Sequence, residues 1–212
     1  MKNLYNQDYY ERGVQLGISG YSNYRWLPEL TIPMCQTIIK KLDIGKDDTV
    51  LDYGCAKGYL VKAFNNLGYN CYGADLSKYA IETSDMSIRH KLYLIEDRRS
   101  VSNIKKYFNF VISKDVFEHI EPSSLRDVIS ELSNTCKTLF AIVPLGDGSR
   151  YVIPEYEKDI THIIREDKDW WSDMFIKNGF TVKEFSYRIP GIKDNWAHYE
   201  KGNGFFILES VL

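Results

Sequence analysis

The chain has no long apolar run. Nothing in it approaches the ~18 consecutive apolar residues a membrane span needs, so any membrane association is peripheral. Neither sign of charge is in excess: 27 basic and 29 acidic residues give a net charge of -2. That leaves no global attraction for a polyanion and excludes nucleic acid as the expected partner. Arg98-Arg99 and Lys105-Lys106 are short clusters on a solvated face. Cysteine pairs are absent too. Cys35, Cys55, Cys71 and Cys136 are widely spaced with no Cys-x-x-Cys, and they read as reduced thiols of a cytoplasmic protein. No secretory signal opens the chain, since Met1 to Asp8 are largely polar and aromatic. No repeat, low-complexity tract or linker divides the 212 residues, a length that fits one decorated domain of roughly 100 to 200 residues. With 44% hydrophobic and 26% charged residues, a sizeable core is expected.

The strongest signal present is Thr49-Val50-Leu51-Asp52-Tyr53-Gly54-Cys55-Ala56-Lys57-Gly58. An apolar strand ends in an acid and runs into a loop with two glycines four apart. Glycines there permit tight turning and close backbone approach at the carboxyl end of a parallel strand, where ligands of open α/β sheets bind. A second strand, Asn70 to Ala74, ends in Asp75 about 20 residues later, the position of a carboxylate that accepts from ribose hydroxyls. The two features together indicate a nucleoside-containing cofactor. The spacing is Gly-x-x-x-Gly, not Gly-x-Gly-x-x-Gly, which disfavours a dinucleotide oxidoreductase, and no phosphate-binding P-loop is present.

Strand and helix signals alternate through most of the chain. An aromatic, glycine-punctuated arm with one helical turn covers Tyr5 to Pro28. A helix follows over 29–42, with Ile32, Cys35, Ile38, Ile39 and Leu42 on one face. Then come strand 49–53, helix 58–67, strand 69–74, a short helix capped by Ser77, strand 91–95, a weak helix over 100–107 and strand 108–113. Ser123 or Ser124 caps a helix through Leu132, and 138–143 is the fifth strand. Such alternation gives right-handed crossovers and a parallel sheet. Between Pro144 and a helix starting at Asp167 or Asp169 lies a segment too long for an ordinary connection, hence a functional loop. Strands over 181–187 and 204–209 bring the count to seven.

The run Asp52-Tyr53-Gly54-Cys55-Ala56-Lys57-Gly58 resembles the first motif of the class I S-adenosylmethionine-dependent methyltransferases, Asp-x-Gly-Cys-x-x-Gly. The arm around Ser19-Gly20-Tyr21-Ser22-Asn23-Tyr24-Arg25-Trp26, together with Asp159-Ile160-Thr161-His162, resembles the members that act in surface-polysaccharide and sugar-modifying pathways. The resemblance implies an α/β fold, with a seven-stranded, mostly parallel Rossmann-like sheet, its last strand antiparallel and helices on both faces. It implies S-adenosyl-L-methionine as cofactor. Asp52, Gly54, Cys55 and Gly58 then surround the methionine portion, Asp75 holds the ribose, and Leu76 packs on adenine. Asp97 is an adenine contact and the backbone of Lys114 and Asp115 borders the cofactor. Arg25 pairs with the methionine carboxylate, or Tyr24 shields the sulfonium. Glu118 and His119, in Asp115-Val116-Phe117-Glu118-His119-Ile120, orient their loop and cap a helix.

The expected reaction is O-methylation of a sugar or another polar small molecule. His162 is the first candidate for general base, with Asp115 and Asp159 behind it. Residues 1–28 form an arm over the site, and 144–166, with 189–202, complete an acceptor pocket. An N-methyltransferase acting on a small amine, served by Trp170, Trp171 and Trp196, is the alternative enzyme. A non-catalytic cofactor-binding protein is the alternative outside enzymes. Folding could bring Asp115, Asp159 and His162 together around a metal, but no spacing demands it and no metal is assigned.

Overall fold

The computed structural model describes residues 4–95, 101, 104 and 107–211. The Asp97 expectation, both basic clusters and most of the weak helix over 100–107 fall outside the described residues. Two short helices, α1 (Gln7–Glu11) and α2 (Gly13–Leu16), occupy the arm, where one helical turn was expected. They are followed by α3 (Pro28–Leu42), β1 (Thr49–Tyr53), α4 (Tyr59–Asn66), β2 (Asn70–Asp75), α5 (Lys78–Glu82) and β3 (Leu92–Leu94). The second half contains β4 (Phe108–Lys114), α6 (Pro122–Thr135), β5 (Cys136–Pro144), α7 (Lys168–Lys177), β6 (Phe180–Ser186) and β7 (Asn203–Ser210).

The strands form one sheet in the order β3-β2-β1-β4-β5-β7-β6. All pairings are parallel except those of β7, which runs antiparallel to both β5 and β6. Strand order reverses between β1 and β4, so the crevice beyond their carboxyl ends is where such a sheet takes a ligand. Asp52 and Lys114 lie at those ends, and Asp75 at the neighbouring end of β2.

Successive residues of the central strands point to opposite faces, and both faces are covered, as in a parallel sheet. Leu51, Val111, Leu139 and Phe206 pack against α6 and α7 through Leu125, Val128, Trp171 and Phe175. Val50, Ile112, Phe140 and Phe205 pack against α3 and α4 through Cys35, Ile38, Val61 and Phe64. On α3 the predicted apolar face is the one turned inward, with Cys35 and Ile38 buried. Ser77 caps α5 by accepting from the Ala80 N–H at 3.0 Å, and Asp167 caps α7 by accepting from Trp170 N–H at 2.9 Å. Neither Ser123 nor Ser124 caps α6. That helix starts one turn position earlier, at Pro122, because proline at the first position lacks only an N–H that would be unbonded anyway and has its φ already set.

Candidate active site

The loop after β1 is shaped by close approaches. Gly54 has φ of 82°, and a Cβ there would lie 2.3 Å from Val116 Cγ2, so the loops after β1 and β4 touch across this glycine. Gly58, at φ 75°, opens α4 against Ile88 and Leu92. The Gly54 and Cys55 N–H groups donate to Ala74 O at 2.8 and 3.1 Å. Cys55 is buried with its sulfur against Gly73, where any Cβ would come within 2.7 Å of it. Burial pushes its thiol well above the ordinary range.

Asp75 links the two loops: Oδ2 accepts from Ala56 N–H and Oδ1 from Ser77 N–H, both at 2.7 Å. Burial raises its carboxyl despite those bonds. Asp52 is 6% exposed. Burial, with the neighbouring Asp75 charge, pushes its carboxyl up to about 7, against the opposing pull of Lys114.

Between these loops lies a cleft walled by Gly54, Asp75, Leu76, Ile95, Val116 and His119. Tyr5, Tyr9, Tyr10 and Tyr21 of the arm line it from above. A second groove adjoins it, sharing Tyr21, Gly54, Ala56 and Asp115, and is bordered by Tyr24, Arg25, Asp52, Cys55 and Lys114. Apolar walls, a carboxylate with lone pairs to spare and a glycine whose Cβ would collide fit a nucleoside with a polar extension.

The arm is tied down at several points. Lys57 Nζ, in the glycine loop, donates to Glu11 Oε1 at 2.5 Å and Tyr24 O at 2.9 Å. Tyr79 and Tyr59 add bonds to the same two acceptors, and Ser77 Oγ donates to Tyr5 O at 2.6 Å. Tyr9 OH donates to Asp159 Oδ2 at 2.7 Å, and Ile160 N–H to Ile18 O at 3.3 Å, which joins the arm to the long loop. Sequence reasoning missed Lys57. Its signal was a lysine set between two glycines of a turn that is otherwise packed.

Asp115 adopts φ of 57°, a conformation Asp tolerates better than most residues. Its carboxylate pairs with Lys114 Nζ at 2.6 Å and with Lys193 Nζ. Burial would raise this carboxyl, but the two ammonium groups outweigh burial and hold it well below the usual range. Lys193 also donates to Asn203 Oδ1 at 2.9 Å, and Tyr156 OH donates to the same oxygen at 2.6 Å. Segments 144–166 and 189–202 therefore meet beside Asp115.

His119 reaches the cleft wall, whereas His162 lies behind it with ring centroids 4.5 Å apart. His162 is 8% exposed, and burial lowers its pKa. Its Nδ1 is 2.8 Å from Tyr156 O. Asp159 Oδ2 is 4.0 Å from His162 Nε2, and Asp159 Oδ1 accepts from Thr161 N–H and Oγ1. Of the three tryptophans considered for an amine acceptor, Trp171 is fully buried against Phe175 with Trp170 packed on it, and only Trp196 lies with Tyr156 at the loops.

A seven-stranded sheet with β7 reversed, carrying acids at the ends of β1 and β2 beside a glycine loop, is the architecture of S-adenosylmethionine-dependent methyltransferases. The family described as Methyltransferase domain matches residues 30–186, and the chain belongs to it. Ribosomal protein L11 methyltransferase of Legionella pneumophila (strain Lens) is 25% identical over 146 residues, covering 67% of this chain and 49% of that protein. The chain thus spans about half the length of the curated relatives it matches. A SAM-dependent methyltransferase from Archaeoglobus fulgidus shares the fold with a TM-score of 0.64 at 15% identity, covering 86% of this chain and 97% of that one. The mitomycin 7-O-methyltransferase MmcR gives 0.62 at 13% identity, over 94% and 66%.

Proposed function

We propose that this methyltransferase acts on a hydroxyl of a polar small molecule, a sugar or a sugar-derived metabolite. The observation that carries this reading is the lining of the cleft and of the groove beside it. Four arm tyrosines line the cleft, and the adjoining groove is bordered by charged and aromatic groups that include Tyr24, Arg25 and Asp115. Such a mixture in a cleft suits a small polar acceptor.

When bound, S-adenosylmethionine supplies an electrophilic methyl group, and transfer depends chiefly on aligning it with the acceptor. Asp75, with each oxygen already bonded once, retains lone pairs for ribose hydroxyls. Leu76 covers the base. Asp52, Gly54, Cys55 and Gly58 border the methionine portion, with the backbone of Lys114 and Asp115 beside it. Arg25 is exposed in the groove and would pair with the methionine carboxylate, or Tyr24 beside it would shield the sulfonium. The acceptor hydroxyl rests against Asp115 and His119, which line the cleft, and His162 and Asp159, both buried, complete this polar set from behind. Within that set, His162 works from behind His119 and not at the cleft wall.

The test is methyl transfer from a deuterated-methyl donor to a panel of sugars, sugar nucleotides, small amines and ribosomal protein L11, read by mass spectrometry. A labelled sugar hydroxyl supports the reading. Label confined to amines would overturn it in favour of N-methylation, and label confined to the ribosomal protein in favour of a protein acceptor, the reading that the ribosomal protein L11 methyltransferase relatives favour.

A further inference from the structure

We propose that Glu118, His119 and His162 bind one divalent transition-metal ion of the zinc class at the wall of the cleft. Their ligating atoms all lie within 4.8 Å of one another. Glu118 Oε1 is 4.0 Å from His119 Nε2 and 3.9 Å from His162 Nε2, too long for direct hydrogen bonds. Around a tetrahedral ion with bonds of ~2.0–2.2 Å the ligand atoms stand ~3.3–3.6 Å apart, so the three side chains close on the ion by roughly half an ångström or more through side-chain rotation.

Glu118 supplies an independent indication. Its side chain is fully buried, and neither carboxylate oxygen has a hydrogen-bond partner among the described residues. Burial, with the Asp115 charge nearby, pushes this carboxyl well above its ordinary range when no cation is present, and even protonated it leaves buried polar atoms without partners, a cost that a bound cation would remove. The nearby ammonium groups of Lys114 and Lys193 are engaged by Asp115.

The surrounding bonds orient the rings as metal ligands are oriented. A carbonyl can only accept, so the 2.8 Å contact to Tyr156 O places the proton of His162 on Nδ1 and leaves the lone pair on Nε2. His119 Nδ1 lies 2.8 Å from Thr161 Oγ1, whose hydroxyl donates to Asp159 Oδ1 at 2.5 Å. The Ile163 and Ile164 N–H groups both donate to Glu118 O, at 2.9 and 3.2 Å, clamping the two loops together. Two imidazoles and one carboxylate suit zinc and its first-row neighbours better than magnesium or calcium, which prefer oxygen throughout.

Three protein ligands leave a position open, as catalytic sites do. Because His119 lines the cleft, that position can take an acceptor or water oxygen and ease loss of its proton. This use of the ion rests on the methyl-transfer reading; the binding itself does not.

The experiment titrates the full chain, stripped with chelator, with Zn²⁺ by calorimetry and with Co²⁺ by visible absorption, using Mg²⁺ as the contrast. One ion per chain is expected, with Mg²⁺ much weaker. Glu118→Gln and His162→Ala should lose on the order of 100-fold in affinity or more, and Asp159→Asn, acting through Thr161, roughly 10- to 100-fold. Saturating Zn²⁺ should raise the melting temperature of the wild type but not of Glu118→Gln. Calorimetry with S-adenosylmethionine on each variant shows whether it is folded and keeps the two readings separable. A wild type that binds neither ion, or a folded Glu118→Gln with wild-type affinity, would overturn the proposal while leaving methyl transfer untouched.

Discussion

Replacing Lys57 with Met should release the amino-terminal arm without unfolding the sheet. Lys57 Nζ makes two charge-assisted hydrogen bonds, to Glu11 Oε1 and Tyr24 O, and each such bond contributes about 1.5–3 kcal/mol. The Lys57 side chain is 9% exposed and that of Glu11 22%, so in the variant Glu11 recovers part of its hydration and keeps its bond from Tyr79 OH. The net loss is therefore about 2–4 kcal/mol, or roughly 30- to 1000-fold in the docking equilibrium.

Aromatic contacts such as Tyr24 on Tyr59, with centroids 5.1 Å apart, still hold the arm weakly. Amide hydrogen exchange reads the outcome. Protection of the Asn23 and Tyr24 amides, which bond to Glu11 O and Tyr10 O, should fall by that factor while the β1 amides stay protected. Burial alone would raise the Glu11 carboxyl, but the bonds from Lys57 and Tyr79 lower it below its usual value. Its stabilisation is accordingly present at neutral pH and lost as pH falls through the carboxylate range, and in Lys57→Met that pH dependence should shrink. Unchanged arm protection in the variant would refute the assignment of Lys57 as the tie.

Asp75→Ala should weaken S-adenosylmethionine binding by about 1.5–3 kcal/mol, roughly 10- to 100-fold by calorimetry; unchanged affinity in a folded variant would remove Asp75 from the site. Asp52 has its folded pKa raised from 3.8 to about 7, so the folded state holds a proton that the unfolded chain has already lost. Its contribution to stability then declines as pH rises from about 4 to about 7, by on the order of 4 kcal/mol. Denaturant titrations of the cofactor-free protein should show a correspondingly flatter profile for Asp52→Asn, and identical profiles would contradict the shift. Gly54→Ala should destabilise by about 2–4 kcal/mol, combining the left-handed φ with the Val116 clash. Val116→Ala should rescue only the steric part, so full rescue in the double variant would show that the backbone conformation costs nothing.

Local pattern alone carried the individual strands and the cofactor loop, while the order of the strands and the reversal of the last came only through the family resemblance. An apolar run ending in Asp52, glycines at 54 and 58 and a second strand ending in Asp75 are neighbours in sequence. Their conformations follow from strand periodicity and the glycines' tolerance of positive φ, which 212 residues of otherwise ordinary composition do not obscure. Helix α6 was legible as a helix, but Pro122 took the start from the serines because local signals competed within three residues. Other parts of the site depended on the crossovers. Tyr9 reaches Asp159 across 150 positions and Lys193 reaches Asp115 across 78, separations at which no periodicity operates. His162 stands behind His119, facing Glu118, because the loop after β5 folds back over the end of β4 and is clamped there by backbone bonds to Glu118. Residue types offered a histidine, a carboxylate and a lysine; only packing around the end of the sheet decided which of them are buried, paired and turned toward one another.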